Sequence, residues 1–328
     1  EGEITMSELV SGKKPSDILG LSYKKNGKII HNAPRPLIKN LDEIPPPAYH
    51  LLPMDKYYPA LGNYKRLPAM SIIATRGCPG RCTYCYRTLG GKLRKRSARN
   101  IIKEISFYDD TFTVFKANVK EFCSSLLDEK IDITWSCFSR VDYVDEELLR
   151  IMKKAGCHLI LFGIESGDEQ ILKNINKGIS LRQAREALRL TKKVGINTRA
   201  SFMIGNPGET KETIEKTIKF AIELDPNQVQ FNITTPFPVT ELFSWAKENG
   251  YLLTEDWPNY NMSEIVMKLP TIDPETLREY YMLSHRKFYL RPKFILSWLS
   301  KIRSWTELKE AIDAFFVVLN IGKTRMGE

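Results

Sequence analysis

A chain of 328 residues with 42% apolar and 10% aromatic side chains can bury one large α/β domain with attachments, or two average domains. Its six cysteines are too few for a disulfide-stapled scaffold, and no apolar run approaches the length that spans a bilayer. The net charge is +10, yet basic residues are spread along the chain; the densest run, KLRKRSAR at 92–99, reads as a solvated face, and nucleic acid is not expected as a partner. The opening residues EGEITMSELV lack the apolar stretch of a signal peptide, so the expected location is cytoplasmic.

Taken in order, residues 1–40 contain DILGLSYKKNGKIIHNAPRP, two short strands around the turn signal Asn26-Gly27. Residues 41–66 begin with LDEIPPPAYHLLPMDKYYPA, where three consecutive prolines give a stiff, extended linker. From residue 67 to about 250 the pattern alternates. Strand-like runs are AMSIIAT (69–75), EISFYDD (104–110), DITWSCF (132–138), CHLILFGIE (157–165), INTRASFMIG (196–205) and NQVQFNITT (227–235). Amphipathic helical runs cover 115–129, 145–156, 180–195 and 209–225. Strand and helix in alternation with short connections imply parallel strands, and six of them fit a partial (β/α)6 TIM-like barrel more naturally than an open sheet. Residues 251–328 read as a helical C-terminal extension, either a cap on the barrel or a lipid-facing surface.

In a barrel of this kind, functional groups lie at the C-terminal ends of the strands. Asp109-Asp110, Arg140, Glu165-Ser166 and GNPGET (205–210) all follow apolar runs there. SGDE (166–169) also matches a helix capping box, which would give Ser166 a purely structural role.

The first strand-like run leads into RGCPGRCTYC, which holds Cys78, Cys82 and Cys85 in the spacing C-x3-C-x2-C. Structural zinc is closed by four Cys or His ligands, and no histidine pairs with this group in sequence. Three thiolates on a four-iron cluster leave one iron open for a substrate or cofactor. Tyr84 stands next to the last cysteine, either against that ligand or simply packed. Cys123, Cys137 and Cys157 read as small buried hydrophobes.

The cysteine motif, placed after the first strand of an alternating β/α domain, resembles the radical S-adenosylmethionine (SAM) superfamily. LDEIPPPAYHLLPMDKYY, SFYDDTFT, MKKAGCHLILFGIESGDEQILKNINKG, RASFMIGNPGET and FYLRP are similar to the branch that carries an N-terminal cobalamin-binding domain. The resemblance implies a 4Fe-4S cluster on Cys78, Cys82 and Cys85 with SAM chelated to its open iron. It implies further that Glu165 and Ser166 meet the ribose or methionine part of SAM, Arg199 its carboxylate and Gly205 the adenine, with Asp109 and Asp110 facing the site. Residues 1–40 then correspond to the end of a cobalamin domain, and cobalamin is expected only with the rest of that domain. A glycine is expected where this chain has Val239. The stretch between Cys85 and Asp109 is shorter than the resemblance leads one to expect, which implies a truncated first helix and a less stable protein.

The expected function is reductive cleavage of SAM to a 5′-deoxyadenosyl radical, for methyl transfer or rearrangement on a small-molecule or lipid-like substrate. A flavodoxin- or ferredoxin-like protein would supply the electron, and peripheral membrane contact is within reach of the C-terminal helices. The alternatives are a non-catalytic iron–sulfur or zinc protein and an inactive fragment.

Overall fold

The computed structural model describes residues 1–53, 56, 65–66, 73–86, 90–101, 112–299 and 315–316. Its centre is a four-stranded parallel sheet in sequential order: β5 (Trp135–Ser139), β6 (Cys157–Glu165), β7 (Asn197–Ile204) and β8 (Gln228–Ile233). These are the third to sixth of the expected strands. Helices return the chain between them: α4 (Glu146–Lys154), then α5 (Glu169–Asn174) with α6 (Leu181–Lys193), then α7 (Lys211–Leu224). Each starts at a side chain that accepts a backbone N–H. Asp145, Asp168, Ser180 and Thr210 fill this role, which satisfies donors that a helix N-terminus otherwise leaves unpaired. The cap of α5 is Asp168, not Ser166.

The sheet has two unlike faces. On β7, Thr198, Ala200 and Phe202 are buried, while Arg199 and Ser201 lie half-buried between them. On β8, Val229, Phe231 and Ile233 are buried, with Gln228, Gln230 and Asn232 alternating. The two-residue period of a strand thus separates an apolar, helix-covered face from a polar one. Cys123, Cys137 and Cys157 belong to the apolar core as expected, all at most 1% exposed. Burial and the neighbouring Cys157 push the Cys123 thiol up, to a pKa beyond the usual thiol range.

α3 (Lys116–Asp128) packs beside α2 (Ala98–Ile101) and α4 on the covered side. α9 (Pro274–Tyr289) lies against β7, β8 and α7, and the Tyr289 hydroxyl accepts from Val229 N at 3.0 Å. It is therefore a cap on the sheet, followed by α10 (Pro292–Leu299). The extension is not helical from its start: residues 251–272 form an irregular segment with one bridge, Leu252 to Met267. No helix among the described residues is long and apolar enough to cross a membrane.

The N-terminal hairpin forms as the sequence implies, β1 (Ser22–Lys25) against β2 (Lys28–His31), with Asn26 and Gly27 both at positive φ. It follows α1 (Glu3–Val10). Near the cysteines, β3 (Thr75–Arg76) pairs antiparallel with β4 (Arg94–Lys95), while residues 69–72 of the first expected strand lie outside the described residues. The basic run is only partly a solvated face: Lys92, Lys95 and Arg99 are exposed, while Arg94 and Arg96 are only 7% and 8% exposed. Arg94 pairs with Glu1 and donates to Ile38 O at 2.7 Å, so carboxylate and carbonyl partners replace its water. Asp109, Asp110 and the second expected strand, 104–110, lie outside the described residues, as do residues 87–89 and 102–103 of the segment expected to be shortened.

Candidate functional site

Cys78, Cys82 and Cys85 lie on the loop between β3 and β4, at the end of the sheet where β5 and β6 finish. The loop is held from outside. Cys78 N donates to Gly90 O at 3.3 Å, and Thr83 N to Ile175 O at 3.0 Å. Asn176 Nδ2 donates to Arg81 O at 2.8 Å. Leu242 N, in the first turn of α8 (Glu241–Glu248), donates to Thr83 O at 3.0 Å. Gly77 has φ +89°, and a Cβ there would lie 2.4 Å from Lys92 O, so only glycine fits.

The two first sulfurs face one spot. A Cβ on Gly80 would sit 3.3 Å from Cys78 Sγ and 4.0 Å from Cys82 Sγ, and Gly80 N donates to Cys78 Sγ at 3.4 Å. All six cysteines are free thiols, with Cys78 and Cys82 half-buried and Cys85 exposed. Among the described residues, no three His, Cys, Asp or Glu side chains converge on a point where they could hold a metal ion. A donor set of three soft thiolates around an open space suits a larger iron–sulfur cluster with one iron left to another ligand.

The cysteines border a cavity of about 480 Å³ that runs down the polar face of the sheet. Its lining includes Tyr84, Arg140, Glu165, Lys177, Arg199, Ser201 and Asn232, with Phe138 and Leu161 supplying apolar surface. Glu165 is at φ +73°, beside a register shift between Gly163 and Glu165. Such a bulge re-aims a strand-end side chain, and a non-glycine residue in this conformation is a mark of a constrained site. Glu165 Oε1 accepts from Lys177 Nζ at 2.7 Å, and both side chains are less than a tenth exposed. Lys177 Nζ also donates to the Tyr84 hydroxyl at 3.3 Å. Burial, then the charges of Glu165, Cys82 and Cys85, pushes the Tyr84 phenol well above its usual range, so it stays protonated. Gly163 makes room for the pair, since a Cβ there would lie 2.6 Å from Glu165 Oε1.

The other expected site residues divide. Arg199 lines the deeper wall and donates from Nε to Gln228 Oε1 at 2.7 Å. Ser166 is fully buried off the cavity, 3.2 Å from Thr217 Oγ1 on α7. Gly205 is likewise not part of the lining; its N–H donates to Glu209 Oε2. Lys177 and Asp142 were not singled out from the sequence. The only hint was NINKG, a glycine-ended turn one helix beyond Glu165.

The Radical SAM superfamily model matches residues 72–221. An uncharacterized methyltransferase of Pyrococcus horikoshii is 41% identical over 314 residues, covering 90% of this chain and 67% of that protein. The chain belongs to the radical SAM superfamily. An anaerobic magnesium-protoporphyrin IX monomethyl ester cyclase of Rubrivivax gelatinosus is 28% identical over 90% of this chain and 56% of its own length. Among solved structures, the cobalamin-dependent SAM radical enzyme OxsB superposes with a TM-score of 0.71 at 17% identity, over 97% of this chain and 54% of OxsB. The chain thus spans about half the length of the cyclase and of OxsB. The likeness to OxsB, a radical SAM enzyme, agrees with the partial β/α barrel expected from the strand pattern, of which the described strands form a four-stranded arc.

Proposed function

We propose that this radical SAM protein binds a 4Fe-4S cluster on Cys78, Cys82 and Cys85, with SAM at the open iron, and performs methyl transfer or rearrangement on a small molecule. The observation that carries this reading is one cavity bordered by three thiols and by the buried Lys177–Glu165 pair. When bound, the cluster supplies one electron that splits SAM into methionine and a 5′-deoxyadenosyl radical, which takes a hydrogen atom from the substrate.

The chain's own residues hold and orient these partners. The outside anchors of the loop fix the three sulfurs. The Lys177 ammonium, beside Tyr84 and the cysteines, is the cation best placed for the SAM carboxylate, and Glu165 holds it there. Arg199, expected to do this from the resemblance, lies deeper on β7 and suits a substrate group instead. Ser201 and Asn232, 3.3 Å apart, offer neutral hydrogen bonds on the same wall. Phe138 and Leu161, in register beside Arg199 on the neighbouring strands, exclude water. A flavodoxin- or ferredoxin-like donor in the cytoplasm would deliver the electron. Cobalamin, bound in a solved structure of OxsB, is assigned no residue of this chain.

Anaerobic reconstitution tests this reading. The wild-type chain is expected to take up iron and sulfide, to change its EPR signal with SAM and to form 5′-deoxyadenosine under a strong reductant. Cys82→Ala is expected to lose all three. A wild-type cluster whose signal SAM leaves unchanged would favour the non-catalytic iron–sulfur alternative.

A further inference from the structure

One charged pair beside the cysteines has no part in the assembly above. Arg140 directly follows β5, with Asp142 two residues on. The guanidinium grips that carboxylate along one edge, Nε to Oδ1 at 2.9 Å and Nη2 to Oδ2 at 3.0 Å. Its other side donates to backbone carbonyls, Nη1 to Lys177 O at 2.9 Å and Nη2 to Gly178 O at 3.2 Å. The guanidinium also lies over the Tyr143 ring, 5.4 Å from its centroid. Both members are largely withdrawn from water, with side chains 13% and 20% exposed.

The edge of the guanidinium turned away from Asp142 lies toward the cysteines. Arg140 Nη1 lies 3.9 Å from the position a Cβ on Gly80 would take, the same point that is 3.3 Å from Cys78 Sγ and 4.0 Å from Cys82 Sγ. Nη1 is the nitrogen that does not bond Asp142. The ion pair therefore presents its positive end to the sulfurs and keeps its negative end behind. Five bonds and contacts hold it in that orientation, so the dipole does not reorient when the charge near it changes.

An electron added to a thiolate-ligated cluster increases negative charge at the sulfurs. A fixed cation at this range favours the reduced state and a carboxylate opposes it, the more so where water is scarce. We propose that Arg140 and Asp142 act as opposed positioning residues that set the reduction potential of the cluster: Arg140 raises it and Asp142 limits the rise. This rests on the cluster assignment made above.

The test is a redox titration of the full chain, reconstituted anaerobically and read by the EPR signal of the reduced cluster, with iron per chain measured alongside. Arg140→Gln is expected to lower the midpoint by about 59 mV, a tenfold drop in the reduced-to-oxidised ratio at a fixed solution potential. Asp142→Asn is expected to raise it, and Arg140→Lys to stay near wild type. Shifts of opposite sign support the proposal, because loss of a merely structural contact gives no reason for the two variants to diverge. Shifts of the same sign, or none, overturn it. Should Arg140→Gln fail to take up iron, Asp142→Asn decides alone: an upward shift supports the proposal, and an unchanged or lower midpoint overturns it. A wild-type chain that assembles no cluster overturns the cofactor assignment and this proposal together, whereas an assembled cluster with unsplit potentials overturns only the latter.

Discussion

The cysteine loop and the turn after β7 are built in opposite ways. Residues 77–86 make few bonds among themselves and are tied down by Gly90, Ile175, Asn176 and Leu242. The turn at 205–210 supplies much of its own scaffold, beside hydrogen bonds from Asn174, Thr234 and Thr271. Glu209 Oε2 accepts from Asn206 N at 2.9 Å and from Gly205 N, Glu209 N donates to Asn206 O at 3.0 Å, and Asn206 Nδ2 donates to Met203 O at 3.1 Å. A loop that must wrap a cofactor cannot fill its own interior, so its shape has to come from its periphery. A turn that leads the chain into α7 can bond within itself.

This contrast predicts that the cysteine loop fails when distant residues change. Lys177 follows the two residues that anchor it. Lys177→Met leaves Glu165 buried without its ion partner, which should cost about 3–5 kcal/mol in a chemical melt. Replacing both Glu165 and Lys177 by Met should recover most of that stability and still leave SAM unable to alter the cluster signal. Recovery of both would reduce the pair to a packing role. Gly77→Ala comes next. A Cβ 2.4 Å from Lys92 O must push β4 away from the loop, and we expect roughly a hundredfold loss of iron affinity, from strain on the order of 3 kcal/mol, with the parallel sheet intact by circular dichroism.

The turn after β7 should respond to pH. Burial pushes the Glu209 carboxyl up to about 7, against the lowering effect of its backbone donors. Its unfolded value is near 4.5. Between these values the folded chain holds a proton that the unfolded chain has lost. The stability this contributes is therefore complete below about 4.5 and falls as pH rises through about 7, by about 3 kcal/mol in all. Urea melts of Glu209→Gln should lack this slope, and an unchanged slope would place the titrating group elsewhere. The smallest effect belongs to Val239, beside α8 and the cysteine loop. It holds φ +69° with 79% of its surface exposed, a costly conformation for a β-branched residue with no packing in return. Val239→Gly should stabilise the chain by up to about 1 kcal/mol in the same melts.

Much of the fold was legible because its signals are local. The helices at 116–128, 146–154, 181–193 and 211–224 fall inside the amphipathic runs, and side-chain caps fix most of their starts. Ser166 misled because SGDE places two capping residues side by side, and the one that reaches the free N–H groups of α5 is Asp168. The basic run misled for a different reason. Nothing local distinguishes an exposed arginine from one that finds Glu1, more than ninety residues away in sequence.

The sequence by itself determined the three thiols, their spacing and the family to which they belong. These rest on neighbours within a few residues, where chain geometry leaves little choice. Only the tertiary structure decided what surrounds the sulfurs. Parallel strands join through crossovers, so the ends of β5, β6 and the residues after α5 meet although they are distant in sequence. That meeting puts Lys177 against Glu165 and Tyr84, and turns the cationic end of Arg140 toward Cys78 and Cys82.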